Sequence, residues 1–349
     1  MTKKPPVIHP SMRPNALGLT LRDYEGSAST LCAGCGHDSI TAAIVRAFYE
    51  LATPPHMVAK LSGIGCSSKT PAYFVSGAHG FNSAHGRMPA IATGANAANR
   101  TLTYIGVSGD GDSLSIGLGQ LCHAIRRNLN MLYIIENNGV YGLTKGQFSA
   151  SSEVGTKSKK GEVNQQRPID PVSLALGLGA TFVARSFSGD KAQLVPLIKA
   201  GLAHQGFALI DVISPCVTFN DHEGSTKSYV STRKRNLPVI EADFVPAAQE
   251  ITAEYAAGSA MSVTMHDGST VRLRKVAPDY DPSSHRNVLD FLEDHGKVGE
   301  IPTGLLYLDQ SGVEMHEAAK TPKVPLTQVP FSKLCPGSRA LAELQEEYV

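Results

Sequence analysis

The chain has 349 residues, 42% of them hydrophobic, a net charge of +1 and six cysteines. This length allows one large domain with an appendage, or two domains, around a sizeable core. The charge gives no electrostatic case for nucleic acid or an anionic membrane, no apolar run approaches the roughly 18 residues of a membrane span, and the cysteines are too sparse for a disulfide scaffold.

Met1 to Pro14 carries Lys3 and Lys4 with no apolar stretch behind them, unlike a secretory leader, and free cysteines then predict a reducing cytoplasm. From Leu21 to Ser214 the sequence reads as alternating helices and strands, an α/β pattern with a mostly parallel sheet. Cys32-Ala33-Gly34-Cys35 comes first, a Cys-x-x-Cys in a Gly-rich segment where two thiolates can reach one metal centre. His37 to Leu51 is predicted helical, with Ile40, Ile44 and Phe48 on one face. The apolar Met57–Leu61 run ends in Gly63-Ile64-Gly65 and then Cys66, Ser67 and Lys69. His85-Gly86-Arg87 is a further Gly-rich loop, able to contact phosphate or substrate.

The next segment carries the strongest signal. Leu102–Val107 and Met131–Ile135 are apolar runs flanking a helical pattern at Leu114, Leu118, Leu121 and Ile125. Gly109-Asp110-Gly111-Asp112 follows the first strand and Asn137-Asn138-Gly139 the second. In a parallel sheet both ends lie on one ligand-binding edge, so Asp110 and Asn138 can converge on one ion. Their oxygens suit a hard cation such as Mg²⁺, which in turn holds phosphates. The small glycines let backbone N–H groups approach a diphosphate. Taken singly, Asp-Gly and Asn-Gly are ordinary loop punctuation.

Gly142 to Arg167 is polar and Gly-rich, which favours a functional loop. Its basic run Lys157–Lys160 reads first as a solvated surface, with electrostatic steering of an anionic ligand or acidic partner as the functional alternative. Pro168–Leu178 and Leu194–Leu202 are predicted helices, and Phe207–Ile213 a strand leading to Pro215-Cys216. Composition changes at Arg233-Lys234-Arg235. Beyond it, Ser262–Val276 reads as a hairpin around Asp267-Gly268, and Asn287–Asp294 and Ser338–Glu347 as short helices. This divides the chain into an N-terminal extension (1–20), a central domain (21–235) and a C-terminal extension (236–349). The last has no chemical motif, so partner contact and structural padding are equally open.

Four cysteine ligands are compatible with structural zinc, an iron–sulfur cluster or a thioredoxin-like pair, and spacing leaves these readings open. Cys122, on an apolar helix, reads as a core residue, and Cys335 has no assignable partner. His79 and His123 read as structural.

The paired Asp110 and Asn138 motifs resemble the diphosphate motif of thiamine diphosphate enzymes. With Leu31–His37, Ile64–Lys69, His85–Arg87, Asn137–Thr144 and Pro215-Cys216 in this order, residues 20–235 resemble the β subunit of a 2-oxoacid:ferredoxin oxidoreductase, most of all one acting on 2-oxoglutarate. The resemblance implies a thiamine diphosphate-binding fold with a C-terminal extension. It implies Mg²⁺ on Asp110, Asn138 and the Val140 carbonyl, and a [4Fe–4S] cluster on Cys32, Cys35, Cys66 and Cys216. It implies cofactor contacts from Ile64, Gly65, Cys66, Ser67, His85, Gly111, Asp112, Gly142, Leu143 and Thr144. Lys69 could offer a cation to the substrate carboxylate, whereas Arg87 could simply pair with a carboxylate. Val217–His222 and the loop near Leu143 favour 2-oxoglutarate, with pyruvate or a broad 2-oxoacid range as the alternative.

The implied reaction is oxidative decarboxylation with coenzyme A as acyl acceptor and ferredoxin as electron acceptor, or the reverse carboxylation. No carboxylate in the chain suits activation of the aminopyrimidine ring. The resemblance assigns it to an α subunit, in an αβ or (αβ)₂ assembly. Two competing readings are a non-redox thiamine decarboxylase, which has no need of the cysteines, and a non-catalytic, metal-stabilised electron-transfer or interaction subunit. The Asp110–Asn138 pairing argues against the latter.

Overall fold

The structure is a computed structural model, and it describes residues 13–245, 260–264, 269–275, 280–335 and 337–348. In chain order, α1 (Gly36–Glu50) precedes β1 (Val58–Ser62) and β2 (His79–Asn82). Then come α2 (Met88–Ala98), β3 (Thr103–Gly109), α3 (Leu118–Arg126) and β4 (Met131–Asn137). A small hairpin, β5 (Val140–Tyr141) with β6 (Gln147–Phe148), leads to α4 (Pro171–Gly177), β7 (Phe182–Phe187), α5 (Lys191–Ala203) and β8 (Phe207–Ile213). After α6 (Tyr229–Arg235) come β9 (Asn236–Val245), β10 (Ala260–Thr264) and β11 (Thr270–Lys275). Last are α7 (His285–Lys297), β12 (Ile301–Leu308), α8 (Met315–Ala318), α9 (Phe331–Leu334) and α10 (Ser338–Glu346).

Ten strands form one sheet in the order β10-β11-β9-β12-β7-β8-β4-β3-β1-β2. The six from β7 to β2 are mutually parallel, and β12 runs antiparallel to β7. This is the expected mostly parallel α/β architecture. Every residue of β1, β4, β7 and β8 is buried, as strands must be when helices cover both faces. Their Val, Ile, Leu and Phe content follows from that, with Lys60, Glu136, Arg185 and Asp211 as buried charged exceptions. α1 buries Ile40, Ile44 and Phe48 along one stripe and sits beside α5, where Lys199 meets Glu50 at 2.8 Å.

Two predicted helices differ in detail. The one expected over Ser113–Arg127 begins as a wide π-type turn, Gly111–Ile116, and becomes α-helical only after Gly117. The Gly117 N–H donates to the Asp112 carbonyl at 2.8 Å across that turn, a distortion common at functional sites. The helix expected from Pro168 starts at Pro171, because Asp170 caps it by accepting from the Ser173 N–H at 3.2 Å.

The predicted hairpin corresponds to β10 and β11, paired Thr264 to Thr270, while its turn at Asp267-Gly268 lies outside the described residues. Residues after 235 supply four of the ten strands, and β9 and β12 pair in parallel beside β7. No helix among the described residues is long and apolar enough to cross a membrane.

Candidate functional site

The carboxyl ends of β1, β3, β4 and β8 are neighbours in a parallel sheet, so the loops after them meet at one edge. Asp110, after β3, is buried. Its Oδ2 accepts from the Gly139 N–H at 3.1 Å, from Ser151 Oγ at 2.6 Å and from Ser149 Oγ. Its Oδ1 has only a long contact, 3.4 Å, with the Asn138 N–H. One oxygen is therefore held by the protein and the other left for a ligand. Burial pushes this carboxyl above the usual range, against the opposing pull of Ser149, Ser151 and the Lys227 cation. Asn138 Oδ1 accepts from the Val140 N–H at 3.0 Å, and Asn220 holds the Asn138 carbonyl at 2.7 Å. Ser149, Ser151 and Asn220 were not singled out from the sequence. The two serines lie in the long loop read as functional, but nothing in that loop marks them out from its other serines.

Asp112 faces inward. Its Oδ1 accepts from the N–H groups of Ile64 at 3.2 Å and Gly86 at 2.7 Å, with His85 Nδ1 against it, and its Oδ2 accepts from Ser108 Oγ. It thereby pins the loops after β1 and β2 to the one after β3. Gly63 makes this possible, since a Cβ there would stand 1.9 Å from Asp112 Oδ2. A phosphate contact at residue 112 would thus use its backbone N–H, not its carboxylate.

A cavity opens at this edge. It is lined by Ile64, Gly65, Cys66, Ser67, His85, Asp110, Gly111, Asp112, Asn138, Val140, Gly142, Leu143 and Thr144, together with Gly109 and Tyr141. Its only carboxylates among the described residues are Asp110 and Asp112, both already engaged. Ile64 and Leu143 are exposed apolar side chains on its lining. Lys69 does not line it. Lys69 is exposed and, with the buried Lys60, faces a separate cleft of about 560 Å³ beside β2.

A second cavity adjoins the first and is lined by Cys32, Cys35, Cys66 and Cys216, with His37, Leu31, Val217, Thr218 and Phe219. Cys66, Asn138 and Gly142 line both cavities. A Cβ on Gly142 would meet Cys66 Sγ at 3.3 Å and Cys216 Sγ at 3.8 Å, so its bareness keeps the wall between them thin. Burial pushes the Cys35 thiol up to about 12 and raises those of Cys66 and Cys216. Bare thiolates are disfavoured here unless a cationic centre shares the cavity. Among the described residues no three His, Cys, Asp or Glu side chains close around a single-ion position. The four thiols line one cavity, and four cysteines are a donor set that an iron–sulfur cluster takes. The donor sets therefore fit Mg²⁺ in one cavity and an iron–sulfur cluster in the other.

Between the cavities, burial holds the His37 imidazole at about 4, hence neutral, and pushes the fully buried Glu136 carboxyl well up. Thr70 Oγ1 donates to Glu136 at 3.0 Å.

Other sequence expectations fare variously. Cys122 is half-buried, outside the apolar core expected for it, and Cys335 is exposed. Arg87 is exposed, with no ion pair among the described residues, so the carboxylate considered for it is not found there. Lys157, Lys159 and Lys160 are exposed. His79 approaches the His56 carbonyl at 3.1 Å, while His123 is exposed on α3. Within Val217–His222, the first three residues line the cysteine cavity, and Asn220 braces the Asn138 loop.

Residues 63–212 match the family model described as thiamine pyrophosphate enzyme, C-terminal TPP binding domain. The chain is 45% identical over 191 residues to the 2-oxoglutarate oxidoreductase subunit KorB of Mycobacterium tuberculosis, spanning 54% of this chain and about half, 51%, of that relative. It is 43% identical over 207 residues to the 2-oxoacid:ferredoxin oxidoreductase subunit beta of Saccharolobus solfataricus, covering 59% of this chain and 67% of the relative. A solved 2-oxoglutarate:ferredoxin oxidoreductase from Magnetococcus marinus, with 2-oxoglutarate, coenzyme A and succinyl-CoA bound, superposes with a TM-score of 0.70 at 30% identity, over 86% of this chain and 89% of that one.

Proposed function

Since the chain belongs to the β subunits of the 2-oxoacid:ferredoxin oxidoreductases, we propose that it oxidatively decarboxylates 2-oxoglutarate together with an α subunit, using coenzyme A and ferredoxin. The observation that carries this reading is the pair of adjoining cavities sharing Cys66, Asn138 and Gly142. One has oxygen donors and bare backbone suited to a Mg²⁺-diphosphate, the other four thiols.

Thiamine diphosphate, when bound, supplies a carbon nucleophile for the 2-oxo carbon and accepts the electron pair left by decarboxylation. Asp110 Oδ1, the Asn138 side chain and the Val140 carbonyl would hold Mg²⁺. Gly111 and the Asp112 backbone would meet the diphosphate, while the Asp112 carboxylate keeps the Ile64 and Gly86 loops in place. Gly65, Ser67, His85, Gly142 and Thr144 would border the cofactor. Ile64 and Leu143 would exclude water from the reacting carbon. Cys32, Cys35, Cys66 and Cys216 would hold a [4Fe–4S] cluster, which when bound supplies one-electron steps. The thin wall at Gly142 keeps that electron path short.

Both carboxylates lining the cavity are engaged, which supports an activating carboxylate from the α subunit in an αβ or (αβ)₂ assembly. The free thiols support a reducing, cytoplasmic placement. The M. tuberculosis and M. marinus proteins, named for 2-oxoglutarate, favour that substrate. The S. solfataricus relative, named for 2-oxoacids, supports a broader range as the second reading.

Anaerobic purification with iron, sulfide, zinc and thiamine analysis tests the reading, followed by assay with 2-oxoglutarate, coenzyme A and ferredoxin. Stoichiometric zinc without iron would overturn it, as would thiamine without any cluster.

A further inference from the structure

His37 stands in the Cys-x-x-Cys-Gly-His motif and has no role in the site as described so far. It is the second residue of α1, two positions after Cys35, and is 1% exposed. Its Nδ1 lies 2.7 Å from Ser214 Oγ and its Nε2 lies 3.1 Å from Ser67 Oγ. Ser214 immediately precedes Pro215-Cys216, and Ser67 immediately follows Cys66. Glu136 Oε2, at the end of β4, is 3.5 Å from Nδ1. One ring thus touches, through its two nitrogens, the segments that carry Cys66 and Cys216, while its own segment carries Cys35, and Ser67 also lines the neighbouring cavity. The contacts come from three separate strand ends, so no local turn accounts for them. An imidazole presents a nitrogen on each of two edges, and a hydroxyl can donate to or accept from either. An apolar side chain of similar size would fill the space but leave two buried hydroxyls without this partner.

We propose that His37 is the positioning residue that ties the Cys66 and Cys216 loops to the start of α1, fixing the thiol geometry around the cluster and the Ser67 wall of the thiamine cavity. The proposal rests on the cofactor assignment made above.

The test uses the anaerobically purified holoenzyme complex with His37→Leu, His37→Gln and His37→Asn. Gln can keep the bond at the Nε2 position, Asn that at the Nδ1 position, and Leu neither. In His37→Leu the expected outcome is at least a twofold loss of iron and sulfide, a changed electron paramagnetic resonance spectrum of the reduced cluster, and about tenfold weaker thiamine diphosphate retention. His37→Asn should restore the cluster signal more than the thiamine affinity, and His37→Gln the reverse. Ser214→Ala should reproduce the cluster defect and add little to it in the His37→Leu background, because both remove the His37–Ser214 bond.

Should His37→Leu fail to fold, the Asn, Gln and Ser214→Ala measurements carry the same comparison. Wild-type iron content, spectrum and thiamine affinity in a folded His37→Leu complex would overturn the proposal, leaving His37 as core filling. Absence of a cluster from the wild-type complex would instead overturn the functional reading itself.

Discussion

Asp110 has an asymmetry that makes its role testable. Oδ2 is saturated by Gly139, Ser149 and Ser151, whereas Oδ1 has one long contact. A carboxylate held this way can give one oxygen to a hard cation without moving. Asp110→Ala should lower turnover at least about a hundredfold through loss of the metal ligand, with iron content retained, since none of these Asp110 bonds is to a cysteine. Full thiamine diphosphate binding and turnover in that variant would remove Asp110 from the metal site. The cysteines make a second contrast. Cys66→Ala should lose the cluster because it removes a thiolate shared by both cavity walls, while Cys122→Ala, half-buried on α3, should keep it. Iron analysis and paramagnetic resonance of the reduced proteins decide this, and the reverse pattern would discard the proposed ligand set.

The strands at the centre of the sheet were legible because they are buried on both faces and so carry long apolar runs, Met131–Ile135 and Phe207–Ile210, before the polar residues near their ends. The convergence of Asp110 and Asn138 was legible too, because strand ends in a parallel sheet share an edge. α2 was hidden by composition, since Ala, Gly and Asn give little helical periodicity, and it is small residues such as Ala92 that let it pack closely. The pins were invisible for another reason. Ser151, Ser214 and Asn220 are ordinary loop residues until folding brings them to partners 41, 177 and 82 positions away.

The same holds for Arg185 on β7, whose Nε donates to Asp211 on β8 at 2.9 Å while its far nitrogen meets Asp170 at the cap of α4. Asp211 is buried and also accepts from Asn137 at 2.9 Å. Arg185→Met should therefore cost about 3–5 kcal/mol by stranding a buried carboxylate, visible as a lowered Tm in thermal unfolding. An unchanged Tm would mean water or Lys227 already compensates Asp211.

As a whole, the molecule presents two adjoining cavities, and among the described residues the one proposed for thiamine diphosphate has no carboxylate besides Asp110 and Asp112. The isolated chain should accordingly bind cofactors yet not turn over, and activity should return on addition of an α partner bearing the missing acid. Turnover by this polypeptide alone with ferredoxin and coenzyme A would refute that division of labour. Substrate choice follows the same logic, because a distal carboxylate needs a cation and, among the described residues, the cavity lined by Asp110 and Leu143 has neither lysine nor arginine. Lys69 belongs to the neighbouring cleft with Lys60, so a cation for the distal carboxylate must come around the Cys66–Lys69 turn or from the α subunit. A charge-assisted hydrogen bond there would contribute about 1.5–3 kcal/mol, a preference of roughly ten- to a hundredfold. In the reconstituted complex kcat/KM should be highest for 2-oxoglutarate, with pyruvate and 2-oxobutyrate lower by that factor. Lys69→Met should erase the difference if this chain supplies the cation, and leave it intact if the partner does. A higher kcat/KM for pyruvate in the wild-type complex would reject 2-oxoglutarate as the preferred substrate.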